Sequence, residues 1–143
     1  MRNPSTKSPI LILVLAFLFF LPANTFSQEN RLQPPRRESK IKSTDHFVEK
    51  TFSLYNKVFV YDSLTRAGVE IPVELEDELM ERAEQDIDSL WDVVPDIVDD
   101  IADASFMKQA KATLNLNRAK KALKFCGDYV KTSILGTKEE EED

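Results

Sequence analysis

Histidine is almost missing from this chain: His46 is the single one in 143 residues. That excludes zinc motifs built on paired histidines. A Ser-His-Asp or Cys-His centre would have to use His46, which sits near an exposed helix start and far along the chain from Cys126. Glycine is scarce as well. Three widely spaced glycines cannot build a loop that cradles a phosphate. Their scarcity, beside abundant Leu, Ala, Glu, Lys and Asp, favours helices, because glycine loses the most backbone entropy inside one. The lone cysteine, Cys126, cannot form an internal disulfide; it reads as a small apolar residue on a helix face, with a redox or dimer-forming role as the alternative. An Asn-x-Ser/Thr acceptor is lacking too, since Asn3-Pro4-Ser5 carries the excluded proline.

What is present begins with an apolar block. Ile10 to Leu21 reads ILILVLAFLFFL, preceded by Arg2 and Lys7 and followed by Pro22 and the small-residue stretch Ala23-Asn24-Thr25-Phe26-Ser27. This order, positive then apolar then small, is that of a secretory signal peptide. The block is shorter than the roughly 20 residues that a helix needs to cross a bilayer. Cleavage is expected after Ser27, making residues 1–27 a signal peptide and leaving no stable membrane anchor; an uncleaved anchor helix is the alternative. The address is an exported one, periplasmic or secreted. Without disulfides, a bacterial periplasm suits the chain better than an animal or plant secretion.

From Gln28 onward the chain carries 17 basic and 25 acidic residues. That acidic balance disfavours nucleic acid as a partner, because binding there relies on basic groups releasing counterions. It also disfavours adsorption to anionic lipid. Residues 28–43 contain Pro34-Pro35 among polar neighbours and read as a flexible, disordered linker, with Arg36-Arg37 as a contact patch or processing site.

The remainder reads as an all-α, elongated three-helix up-down-up bundle over residues 44–136. The first helix is expected from a Thr44 or Asp45 cap to Arg66 or Ala67. Its apolar half runs from Phe47 and Val48 through Thr51, Phe52, Leu54, Tyr55, Val58 and Phe59 to Tyr61, wide enough to face two neighbours. Gly68 supplies a left-handed stop, with Pro72 soon after. Asp62 falls within the apolar half, and Arg66 one turn later is its candidate partner.

The second helix, about 73 to 103, keeps one phase from Leu75, Leu79, Ala83, Ile87, Leu90 and Trp91 to Val94, then beyond Pro95 to Ile97, Val98, Ile101 and Ala102. The retained phase predicts a kinked helix; a helix split at Pro95, giving four helices, is the alternative. The third, from a Ser105 cap to about Leu135, buries a stripe through Ala112, Leu116, Ala119, Ala122, Leu123, Cys126, Val130 and Ile134, widened by Met107, Leu114 and Phe125. Residues 137–143 end in five acidic residues and read as a disordered tail.

Charge divides between the last two helices. Glu74 to Asp103 holds thirteen acidic residues and one basic, Arg82, whereas Lys108 to Lys131 holds seven basic residues and one acid, Asp128. Asp88, Asp92, Asp96, Asp99 and Asp103 share one stripe and are the metal candidates, because calcium takes several carboxylate oxygens. Against this, short aspartates on a rigid helix rarely converge, and the EF-hand pattern with its central glycine is absent. The reading is therefore a protein that is not an enzyme, requires no cofactor, and works as a protein-interaction module of the cell envelope or periplasm. Its contact faces are Asp92, Asp96 and Asp99 on one helix, and Lys120, Lys121, Lys124 and Lys131 on the other. The partner is another protein or a second copy. Two alternatives stand beside it: a divalent-cation-binding protein, and a small-ligand carrier or cryptic enzyme using the bundle interior near Asp62.

Overall fold

A computed structural model describes residues 31–140, with side chains up to Ser133. The expected signal peptide, residues 28–30 of the expected linker, and Glu141 to Asp143 of the expected acidic tail lie outside them. The described residues from Leu32 onward form a compact unit. It is an all-α bundle without strands among the described residues, built from α1 (Lys42–Arg66), α2 (Val73–Asp92), α3 (Val94–Ala102) and α4 (Phe106–Glu140). Residue pairing gives the directions. Tyr55 of α1 meets Phe125 of α4 at 5.3 Å between ring centroids, and Arg37, just before α1, meets Asn115, so α1 and α4 run parallel. Tyr61, late in α1, feels the charge of Glu76 and Asp77 early in α2, while residues 46–57 share a groove with residues 86–97, so α2 and α3 run the opposite way. The path is up, down, up.

The core lies between α1 and α4. Thr44, Thr51 and Val58 recur every seven residues on α1, as do Ala112, Ala119 and Cys126 on α4, and all six are closed off from solvent. A seven-residue repeat of small and β-branched side chains on each helix is the pattern that lets two helices interlock along their length. Leu123, Ala122, Phe47 and Tyr55 fill the spaces between. Thr44 and Thr51 place methyls in this seam, but their hydroxyls have no hydrogen-bond partner. The helices α2 and α3 lie over the pair as an amphipathic layer, burying Met80, Ala83, Ile87, Ile97 and Ile101.

The stop after α1 forms as its sequence dictates. Gly68 takes φ +72, its N–H donates to the Thr65 carbonyl at 3.0 Å, and the Val69 N–H reaches back to the Leu64 carbonyl at 3.1 Å. These two bonds satisfy carbonyls that the helix end would otherwise strand. The start of α1 departs from expectation. The helix begins at Lys42 after Ile41, not at a Thr44 or Asp45 cap. The Asp45 carboxylate instead reaches backward, accepting the Ser39 N–H (2.8 Å), the Ser39 hydroxyl (2.8 Å) and the Lys40 N–H (2.9 Å). Lys40 takes the left-handed φ of 68 that turns the chain into the helix. A carboxylate also suits the positive end of the helix dipole.

Those bonds overturn the expectation of a flexible linker from Leu32 onward. Residues 32–41 form an extended strap lying over the bundle. The Leu32 N–H donates to the Tyr55 hydroxyl at 3.0 Å, the Asn115 side-chain amide donates to the Arg37 carbonyl at 2.9 Å, and Ser39 is fully enclosed. Pro34-Pro35 stiffens the strap instead of detaching it.

Pro95 splits the second rod. The break falls at Val93, and Pro95 opens α3 in its first turn, where its missing N–H costs nothing. The apolar phase nonetheless carries across, since Ile87, Ile97 and Ile101 all enter the core. Several residues assigned to core faces are exposed: Leu75, Trp91, Val98 and Ala102 in the second rod, and Met107 and Leu114 in α4. Nor does α4 end at about Leu135; it continues to Glu140 through the first residues of the expected tail.

Candidate protein-interaction surfaces

The aspartate stripe is entirely exposed. Asp88 and Asp92 stand on α2, Asp96 and Asp99 on α3, and Asp103 directly after it, so the break at Val93 divides the stripe between two helices. Among the described residues, no three His, Cys, Asp or Glu side chains come together in a way that could hold an ion. Val93 and Val98 are also exposed, at the edges of the stripe where it borders the buried side of the rod.

The lysine face of α4 is less uniform than its sequence. Lys121 and Lys131 are exposed. Lys124 is exposed as well but donates to the Asp128 carboxylate at 2.8 Å, one turn on. Lys120 turns toward the second rod, half-buried, with Nζ 5.8 Å from the Trp91 ring centroid. That cation–π contact contributes about 0.5–1 kcal/mol at a partly exposed site. It removes Lys120 from the outward face and ties α2 to α4.

Two grooves flank these faces. One of about 620 Å³ lies between α1 and the second rod. Leu54, Leu90 and Ile97 give it an apolar lining, and Lys50 and Lys57 on one wall oppose Asp86 and Asp96 on the other. His46 lines it near the start of α1 and is exposed. The second, of about 960 Å³, runs between the strap and the first half of α4. Arg36 and Arg37 come from the strap, Lys111 and Arg118 from α4, with Leu114 between them. Sequence reasoning passed over this groove, although Lys111, Leu114 and Arg118 share one helix face at spacings of three and four.

Asp62, the candidate for interior chemistry, and Cys126, the candidate for a redox or dimer-forming role, are both buried. Asp62 is 6% exposed, and its carboxylate accepts the Arg66 Nε–H at 3.0 Å, the pairing expected from their spacing. Cys126 is enclosed within the α1–α4 seam, and burial pushes its thiol up to about 12, out of the range where a reactive thiolate forms. Tyr61 is also raised above its ordinary value, first by burial and then by the negative charge of Glu76.

No family model, no curated protein and no solved structure matches the chain.

Proposed function

We propose that this chain is an exported, non-enzymatic protein-interaction module of the cell envelope or periplasm. The observation that carries the reading is the placement of opposite charges outward on one stiff bundle. Asp88, Asp92, Asp96, Asp99 and Asp100 of α2 and α3 are exposed, and Lys121 and Lys131 of α4 face outward with no acid partner among the described residues. Charged faces select a partner and speed its approach more than they add raw affinity. A bundle whose core is occupied by Leu123, Val58, Ala119 and Cys126 leaves its chemistry to the surface.

The experiment is recovery of a partner by the tagged protein from envelope extract, in parallel with the D92K/D96K/D99K variant. Stoichiometric recovery that falls at high salt and is lost in the variant is the expected result. Recovery unchanged by the three reversals would remove this face from the proposal. The exported address has its own check: N-terminal sequencing of protein recovered outside the cytoplasm should begin at Gln28, and a sequence still carrying Ile10 to Leu21 would overturn cleavage.

A further inference from the structure

We infer that the groove between the strap and α4 is a docking site for the acidic α2–α3 face of a second copy of this chain. The inference rests on the reading of the charged faces as contact surfaces, and it names the partner.

The groove gathers Arg36, Arg37, Lys111 and Arg118 around Leu114, with no acid in its lining. None of the four cations has an acid partner among the described residues. Four unpaired cations held together in a chain of net charge −6 repel one another, and an incoming anionic surface relieves that repulsion. The site is also preformed. The Asn115 amide pins the strap through the Arg37 carbonyl at 2.9 Å, the Leu32 N–H pins it through Tyr55, and Pro34-Pro35 holds it extended between them. A wall ordered in advance loses little freedom when a partner arrives. Leu114, 70% exposed, offers an apolar contact at the middle of the cationic rim.

The complementary surface is on the same chain. Asp92, Asp96, Asp99, Asp100 and Asp103 are exposed together along α2, α3 and the residue directly after, with Val93 and Val98 exposed at the edges of the stripe. Within one molecule the two cannot meet. Ile97 and Ile101 fix α3 in its own core, and its acids form no part of its own groove. Because each copy carries one patch of each kind, a two-fold pairing makes both contacts at once and closes on itself.

Sedimentation velocity of the protein expressed from its full sequence tests this, over a range of concentrations at about 50 mM and about 500 mM salt. A concentration-dependent dimer at low salt, weakened at least roughly tenfold at high salt, is expected. K111E/R118E and D96K/D99K should each be monomeric at low salt, with melting curves showing both folded. An equimolar mixture of the two variants should dimerise again, since each reversed patch then meets a reversed partner. A wild-type protein that stays monomeric at every concentration would overturn the inference, and so would a dimer indifferent to both reversals. Either result leaves the envelope-partner reading to its own pull-down, which uses the aspartate face without needing the groove.

Discussion

The α1–α4 pair and the α2–α3 rod are both amphipathic helical surfaces, yet they are built to different tolerances. Along α1 and α4 the facing residues are small, regularly spaced and wholly enclosed, from Thr44, Thr51 and Val58 to Ala112, Ala119 and Cys126. The second rod contributes larger, more widely separated contacts, Met80, Ile87, Ile97 and Ile101, each keeping a trace of exposure, while Val73, Leu75, Val93 and Val98 remain in water. One region uses close fit to set the fold. The other uses a single apolar stripe to hold its place and leaves the rest of its circumference to charge. A chain can thus keep a mutable surface on a fixed frame, because changes on the outer side of α2 and α3 hardly reach the α1–α4 seam.

The sharpest way to break that contrast is Leu123→Ala. Leu123 is fully enclosed, so truncation should lower stability by about 2–5 kcal/mol, whereas Leu75→Ala should fall within about 0.5 kcal/mol of wild type. Denaturant unfolding compares them, and equal costs would mean that the two regions pack alike. A second difference is read in pH. Cys126 keeps its proton in the folded state up to about 12, while its unfolded value is 9.0. Above pH 9 the unfolded chain releases a proton that the folded chain retains, so this thiol's contribution is present below pH 9 and is lost as pH rises toward 12. The slope approaches about 1.4 kcal/mol per pH unit, and Cys126→Ala should remove it. Wild-type and variant stability profiles that stay parallel from pH 9 to 11 would contradict this.

Thr51→Val tests the seam from the other side. The Thr51 hydroxyl is buried without a partner, so a methyl of similar shape should stabilise the protein by about 1 kcal/mol. A loss of stability would mean that the hydroxyl is satisfied in solution. A local effect is expected from Trp91→Ala. With 37% of its surface exposed and one cation–π contact to Lys120, the residue holds the rod in place at its edge. The global cost should stay under about 1.5 kcal/mol, and hydrogen exchange should quicken in α2 and α3 before it does in α1 and α4.

How far the sequence could be read follows the same division. The apolar half of α1, the left-handed Gly68, the Asp62–Arg66 pair and the α4 stripe were legible because each depends on spacing along one helix. The misassigned positions depend on how much a neighbour covers. A phase of 100° per residue points Leu75, Trp91 and Val98 toward the core side, but it does not say where the adjacent helices stop, and these residues lie at the edges of the contact. The strap was hidden for another reason. Its composition is polar and proline-rich, and its attachment depends on Tyr55 and Asn115 reaching back to it from far along the chain, and on Asp45 nearby. Among the contact faces, Lys120 could not be separated from Lys121 without knowing that Trp91 stands beside it. The strap groove could not be seen at all, because half of it is the strap.

The parallel arrangement of α1 and α4 bears on how the molecule forms. The Arg37–Asn115 bond spans 78 positions, and the seam beside it joins segments about as distant. Closing so long a loop is entropically costly before any seam contact repays it, so folding should be slower than in a helical bundle whose best contacts are between consecutive helices. During synthesis α1 emerges first and has only the thinner contact with α2 and α3 to close against until α4 follows. An apolar half-cylinder rich in phenylalanine and tyrosine is exposed in that interval, which makes the nascent chain a natural client for a holding chaperone.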